Sequence, residues 1–133
     1  MSPVNRFTLG KEERICSGTL IERLFNGGDS KSLSSYPLRV VYLVTDREEG
    51  DIPAKMMISV SKRHFKRAVK RNKVKRQVRE AYRLNKHLVT DKMSERENQQ
   101  LNLAFIWLSD DIFDTKDVVF HVQRLLERIN EKL

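Results

Sequence analysis

Asn72, Arg76, Arg79 and Arg83 recur at intervals of 4, 3 and 4 residues within RNKVKRQVREAYR (71–83), a segment with six Lys or Arg against one acid, Glu80. On a helix this spacing puts the four side chains in one row, flanked by Lys73 and Lys75. A guanidinium grips a phosphate through two parallel hydrogen bonds, and an asparagine amide can bond a sugar or a base edge. The chemistry on offer is recognition of a polyanion. Like charges three and four residues apart destabilise an isolated helix, and Glu80 can pair with Arg76 or Arg83 but leaves most of the row unpaired. Nucleic acid is the partner this pattern supports best; a solvated helix face or an acidic protein is the alternative. A membrane surface fits poorly, because the apolar side of the helix would have to leave the core and carries no large aromatic belt.

The charge of the whole chain is concentrated there. Residues 62–83 hold eleven of the 26 Lys and Arg and one of the 18 acids, a local net charge of +10. Fifteen bases and seventeen acids elsewhere leave −2. A basic surface needed only for solubility would be spread out; a block of one sign marks an electrostatic footprint.

Catalytic groups are not visible in the pattern. Hydrolysis of RNA by a protein needs a His pair with a Lys, or carboxylates that hold divalent metal. His64, His87 and His121 sit in unrelated segments without metal-ligand spacing, and Asp110, Asp111, Asp114 and Asp117 surround a helix start, where capping and dipole complementation account for them. Cys16 is the only cysteine, which excludes an intramolecular disulfide and a cysteine-rich zinc site. It reads as a small apolar residue beside a helix. No metal bound by the protein is expected.

These groups need a scaffold. The 133 residues, 39% of them hydrophobic, fit one domain with one modest core, residues 1–133. No run approaches a membrane span, and the N-terminal MSPVNRFTLGKEERI lacks the apolar stretch of a signal peptide, so the expected compartment is the cytoplasm. After an extended arm (1–16), SGTLIERLF (17–25) has helical spacing, with Ser17 or Thr19 as cap, and Gly27 and Gly28 end it. LRVVYLVT (38–45) and AKMMISVS (54–61) read as strands of an antiparallel hairpin. The basic helix is expected over 62–88, packed through Val74, Val78, Ala81, Leu84 and Leu88. HLVTDKMSERENQQ (87–100) reads as a polar linker, and LNLAFIWL (101–108) as a strand buried on both faces. A last helix carries Val118, Val122, Leu125, Leu126, Ile129 and Leu133 on one stripe, behind a cap at Asp114 or Thr115. The pattern αββαβα predicts an α+β sandwich with helices laid on a small sheet.

SVSKR (59–63), followed by AVKRNKVKRQVREAYR (68–83), resembles the signature helix of the protein subunit of bacterial ribonuclease P, whose motif runs approximately A-V-x-R-N-R-x-K-R-x-x-R-E. Ala68, Val69, Arg71, Asn72, Lys75, Arg76, Arg79 and Glu80 match it, with Lys73 at the third motif position. LGKEERI (9–15) resembles the family's LPKEERL opening, and LIERLFNGG (20–28) its F-x-x-x-F-x-x-G helix end. Two positions depart: the glycine before the helix is replaced by an HFKR stretch with one extra residue, and Ile21 stands where the first aromatic of the early helix would be.

The resemblance implies an αβββαβα two-layer α/β sandwich with a left-handed βαβ crossover, and an extra strand within KSLSSYPL (31–38). It implies RNA as the polyanion: a catalytic RNA subunit bound 1:1, and the precursor tRNA whose 5′ end the holoenzyme matures, with Mg²⁺ held mainly by RNA. DNA and membrane are not expected partners. Lys62, Arg63, Arg67, Arg71, Asn72, Lys73, Lys75, Arg76, Arg79 and Arg83 are the expected RNA contacts. Phe25, with Tyr36 or Tyr42, is the candidate surface for the single-stranded 5′ leader, by stacking on bases. A structural RNA-binding protein with no part in cleavage is the other function this helix could serve.

Overall fold

The structure is a computed structural model and describes residues 9–133. Residues 1–8 of the expected arm lie outside the described residues. The rest of the arm is not simply extended: Lys11–Glu13 form a 3-10 turn, and Arg14 makes a parallel bridge with Met56.

Helix α1 (Gly18–Asn26) is capped by Ser17, whose Oγ accepts from the Leu20 N–H at 3.4 Å. It stops where a side chain would not fit. A Cβ on Gly27 would lie 2.5 Å from the Arg23 carbonyl oxygen, and Gly28 has φ +81°. Strands β1 (Lys31–Ser35), β2 (Leu38–Asp46) and β3 (Ala54–Ser59) follow, then α2 (Ala68–Asn85), α3 (His87–Ser94), β4 (Gln99–Trp107) and α4 (Thr115–Lys132). The strand expected within 31–38 is β1.

The sheet order is β1-β2-β4-β3, with β2 antiparallel to β4 and β3 parallel to it. The expected hairpin of β2 with β3 is therefore wrong. β4 takes the place between them, and the β3-α2-α3-β4 crossover delivers it there. Burial matches the choice: β4 is the most deeply buried strand and has two neighbours in the centre, whereas the half-buried β3 stands at the edge.

Side-chain alternation assigns the two faces. Leu38, Val40, Tyr42, Leu101, Leu103, Phe105, Trp107, Ala54 and Met56 share one core with α2, α3 and α4. Val41, Leu43 and Ala104 face the other way and pack with Ile15 and Leu24. That second face is covered only in part, and Met57 and Ile106 remain half-buried on it. The segment expected as a polar linker contains α3, whose Val89 and Met93 are fully buried in the main core. Two apolar side chains one turn apart suffice to dock a short helix, and they leave too weak a period to see in a polar sequence.

The core also contains a phenol without a partner. The Tyr82 hydroxyl is buried and unbonded, and burial, then the Glu13 carboxylate, holds its pKa well above the usual phenol value. In the unfolded chain a tyrosine ionises near pH 10, whereas Tyr82 stays protonated when folded. Its stabilising contribution is therefore complete below about pH 10, and above that stability falls by about 1.4 kcal/mol per pH unit. Tyr82→Phe is expected to keep or raise the melting temperature at pH 7 and to flatten the alkaline loss, as measured by thermal melts from pH 7 to 11. A loss above about 2 kcal/mol at pH 7, typical of a broken buried hydrogen bond, would show that the hydroxyl is bonded after all.

Candidate nucleic-acid interface

Helix α2 starts at Ala68, not at residue 62, and Asn85 ends it before the short α3. Residues 61–67 form a turn. Phe65 plugs the core, the His64 N–H donates to the Ser61 carbonyl at 3.1 Å, and His64 Nδ1 lies 2.7 Å from Asp110 Oδ1. Arg71 reaches back from the first turn of α2 and donates to the Phe65 and Lys66 carbonyls at 2.8 and 3.0 Å. These ties order the turn without the glycine that the resembling motif has there. Arg71 is thus half-buried and has a structural task as well as a charge.

The buried face of α2 consists of Val74, Gln77, Val78, Ala81 and Tyr82. Val74, Val78 and Ala81 are as expected; Leu84 is exposed, because the buried stripe passes through Tyr82 instead. Gln77 is buried because its amide donates to the Phe113 carbonyl at 2.9 Å and to Thr115 Oγ1 at 3.2 Å, tying α2 to the start of α4. Opposite this face, Asn72, Lys73 and Arg76 are exposed, and Lys75, Arg79 and Arg83 are half-exposed along its flanks. Arg83 donates Nε to Glu80 Oε2 at 3.0 Å. Their hydrogen bond, with Coulomb attraction adding to it, lowers the Glu80 pKa and raises that of Arg83.

Lys62, Arg63 and Arg67 are exposed at the turn that leads into the helix. Among the described residues no carboxylate lies within 4.0 Å of the charged groups of Lys62, Arg63, Arg67, Arg71, Lys73, Lys75, Arg76 or Arg79. The first turn of α2 contains no acid, and Arg67 at its N-cap makes no side-chain cap bond. Cations at a helix start oppose the dipole, so this end favours an external anion over anything in the chain.

The three aromatic candidates separate. Phe25 is 40% exposed and belongs to neither core, one turn beyond Ile21 at the edge of the α1 stripe. Tyr36 is 61% exposed, in the turn between β1 and β2, with its ring edge-to-face on Phe113 at 6.2 Å. Tyr42 is 4% exposed and packs in the main core on the helix-covered face of the sheet, so it has no ring face to offer a base. That assignment is corrected. On the partly open face, Arg39, Ile106 and Ser59 stand opposite one another across β2, β4 and β3, and Val41, Ala104 and Met57 form the next row. A largely apolar floor with Arg39 at its rim suits a single strand.

Residues that the sequence pattern did not single out also shape the surface. Glu13 and Lys86 form a buried ion pair at 2.7 Å, 73 positions apart. Arg14 is exposed, and its charge lowers the Arg79 pKa after burial does. His121 Nδ1 meets Ser35 Oγ at 2.7 Å and so joins α4 to β1, as His64 joins the basic turn to Asp110. Among the described residues no three His, Cys, Asp or Glu converge as metal ligands, and no helix is long and apolar enough to cross a membrane. Cys16 is exposed just ahead of the α1 cap.

The family model Ribonuclease P matches residues 9–127. The Ribonuclease P protein component of Porphyromonas gingivalis is 44% identical over 123 residues, which cover 92% of this chain and 87% of that one. The component of the same name from Idiomarina loihiensis is 34% identical over 80 residues, 60% of each chain. Among solved structures, a mutant of the Staphylococcus aureus RNase P protein superposes with a TM-score of 0.68 at 22% identity, covering 90% of this chain and 89% of that one. The Thermotoga maritima RNase P protein gives 0.62 at 24% identity, over 87% and 96% of the two chains. The matched span runs from the 3-10 turn through the basic helix into α4: the chain belongs to the ribonuclease P protein family.

Proposed function

We propose that this chain is the protein subunit of a ribonuclease P holoenzyme, the endoribonuclease that matures the 5′ end of tRNA. The observation that supports this most is the cationic surface of α2 and the turn before it, where eight of the ten expected RNA contacts lack a carboxylate neighbour among the described residues. Lys62, Arg63, Arg67, Lys73, Lys75, Arg76 and Arg79, with Asn72, contact the catalytic RNA, bound 1:1; Arg83 contributes beside Glu80. Arg71 holds the turn that presents them. The single-stranded leader of precursor tRNA lies on the open sheet face, with Phe25 at one side and Tyr36 at the end of the strands. Mg²⁺ and the cleavage chemistry belong to the RNA, and the protein lowers the electrostatic cost of bringing two polyanions together in the cytoplasm. Neither DNA nor a membrane has a place in this scheme.

The test is affinity for the RNA subunit as a function of salt. Each phosphate contact contributes roughly 0.7–0.9 to the log–log slope, so half a dozen contacts make binding fall steeply between low and moderate salt. Arg76→Ala is expected to weaken binding and shave about one contact from the slope while stability changes by less than about 0.5 kcal/mol, as for other exposed sites. Arg71→Ala is expected to lower both, with a stability loss of about 1–3 kcal/mol from the freed carbonyls of the turn. Equal, salt-independent affinities for wild type and Arg76→Ala would remove the proposal.

A further inference from the structure

A recess of about 300 Å³ opens at the end of the sheet opposite the basic turn. The strand register places it there. The turn 61–67 follows β3 beyond Ser59, opposite Ile106 near the end of β4, whereas the recess lies at Val44, opposite Leu101 near the start of that strand. Lys31, Tyr42, Val44, Arg96, Lys132 and Leu133 line it. Lys31 and Tyr42 are direct partners across β1 and β2, so their side chains stand on one face of the sheet, the face that α4 covers. Lys132 is the last residue of α4, and Arg96 is held beside it by donating to the Leu133 carbonyl.

The recess is rich in donors and poor in acceptors. Lys31 and Lys132 are exposed, and among the described residues neither ammonium has a carboxylate within 4.0 Å. The one acid of the lining, Asp29, is bonded to Arg23 at 3.1 Å. The Tyr42 hydroxyl is buried without a hydrogen-bond partner, a cost that an acceptor brought to it would remove. Burial raises its pKa, so it stays protonated and able to donate. A terminal phosphate brings close to two negative charges and three acceptor oxygens, which matches two ammonium groups and a hydroxyl better than a carboxylate does. The volume is that of a small-molecule site, and Val44 and Leu133 give an apolar wall for the group that carries the phosphate.

We propose that this recess binds a phosphate monoester, with Lys31 and Lys132 on its charge and the Tyr42 hydroxyl donating to one of its oxygens. The site lies outside the basic helix and does not depend on the reading of that helix. A free nucleotide and the 5′-phosphorylated end of an RNA both supply the group.

Amide NMR titrations of the full chain with 5′-AMP, with adenosine and with two short RNAs that differ only in a 5′ phosphate or a 5′ hydroxyl test this. 5′-AMP is expected to move the Lys31, Tyr42 and Lys132 signals to saturation, and adenosine is not. Tyr42→Phe, which keeps the ring and the core, should weaken 5′-AMP binding roughly tenfold. Lys31→Gln combined with Lys132→Gln should abolish saturation, with each variant shown to be folded by its thermal transition. If the 5′-phosphorylated RNA moves the same signals and its hydroxyl counterpart does not, the group comes from an RNA end; if only 5′-AMP moves them, it comes from a free nucleotide, and either result supports the site. Shifts confined to α2, equal shifts with adenosine, or unchanged 5′-AMP affinity in the variants would overturn it.

Discussion

Val78→Asp is expected to leave the protein unfolded at room temperature. Val78 is fully buried in the core that α2 shares with the sheet and α4. A carboxylate there would face only apolar neighbours, and burial of an unpaired charge belongs to the few changes that cost more than about 4 kcal/mol. A domain of this size has about 5–15 kcal/mol in total. Arg76→Asp, on the opposite side of the same helix, should melt close to the wild type yet lose RNA affinity. Circular dichroism melts of the two variants check the rotation of α2 directly: a normal transition for Val78→Asp would mean that the faces have been assigned the wrong way round.

The second large effect belongs to Glu13. Glu13→Ala is expected to destabilise the fold by about 3–5 kcal/mol, because it removes the carboxylate that the buried Lys86 ammonium bonds at 2.7 Å. The Gly10 N–H loses its acceptor as well. Removing both charges should behave differently. With Glu13→Met and Lys86→Met combined, the desolvation penalty disappears together with the attraction, and such replacements are often neutral or stabilising by about 1–4 kcal/mol. Urea unfolding of the single and double variants tests this, and a double variant as unstable as the single one would show that something other than the Lys86 charge sets the cost.

The sequence revealed the parts of this molecule that depend on local pattern. The 4-3-4 row of α2, its Val74, Val78 and Ala81 face, the glycine stop of α1 and the stripe of α4 all follow from helical period and backbone freedom, which a linear reading can see. Its failures are non-local. Insertion of β4 between β2 and β3 goes with its deeper burial, and no feature of the β2–β3 connection signals it. Tyr42 lies in a strand whose side chains are buried on both faces, so polarity does not mark which parity faces the helices; only the position of α1 does. Lys86 looks like one more member of the basic helix until its partner, 73 residues away, is folded against it. Arg71 likewise shares its residue type with Arg76, yet one clamps a turn and the other stands exposed.

The most direct measurement is cleavage of a precursor tRNA by the RNA subunit alone, by the purified protein alone and by the two together, across salt and Mg²⁺. The expected result is no cleavage by the protein alone, slow cleavage by the RNA alone that needs high Mg²⁺, and fast cleavage by the pair at low Mg²⁺. The protein's advantage should fade as salt rises, since it comes from phosphate neutralisation. Cleavage at the mature 5′ end by the protein without RNA, or no gain when the two are combined at low salt, would contradict the role of an accessory subunit to an RNA catalyst.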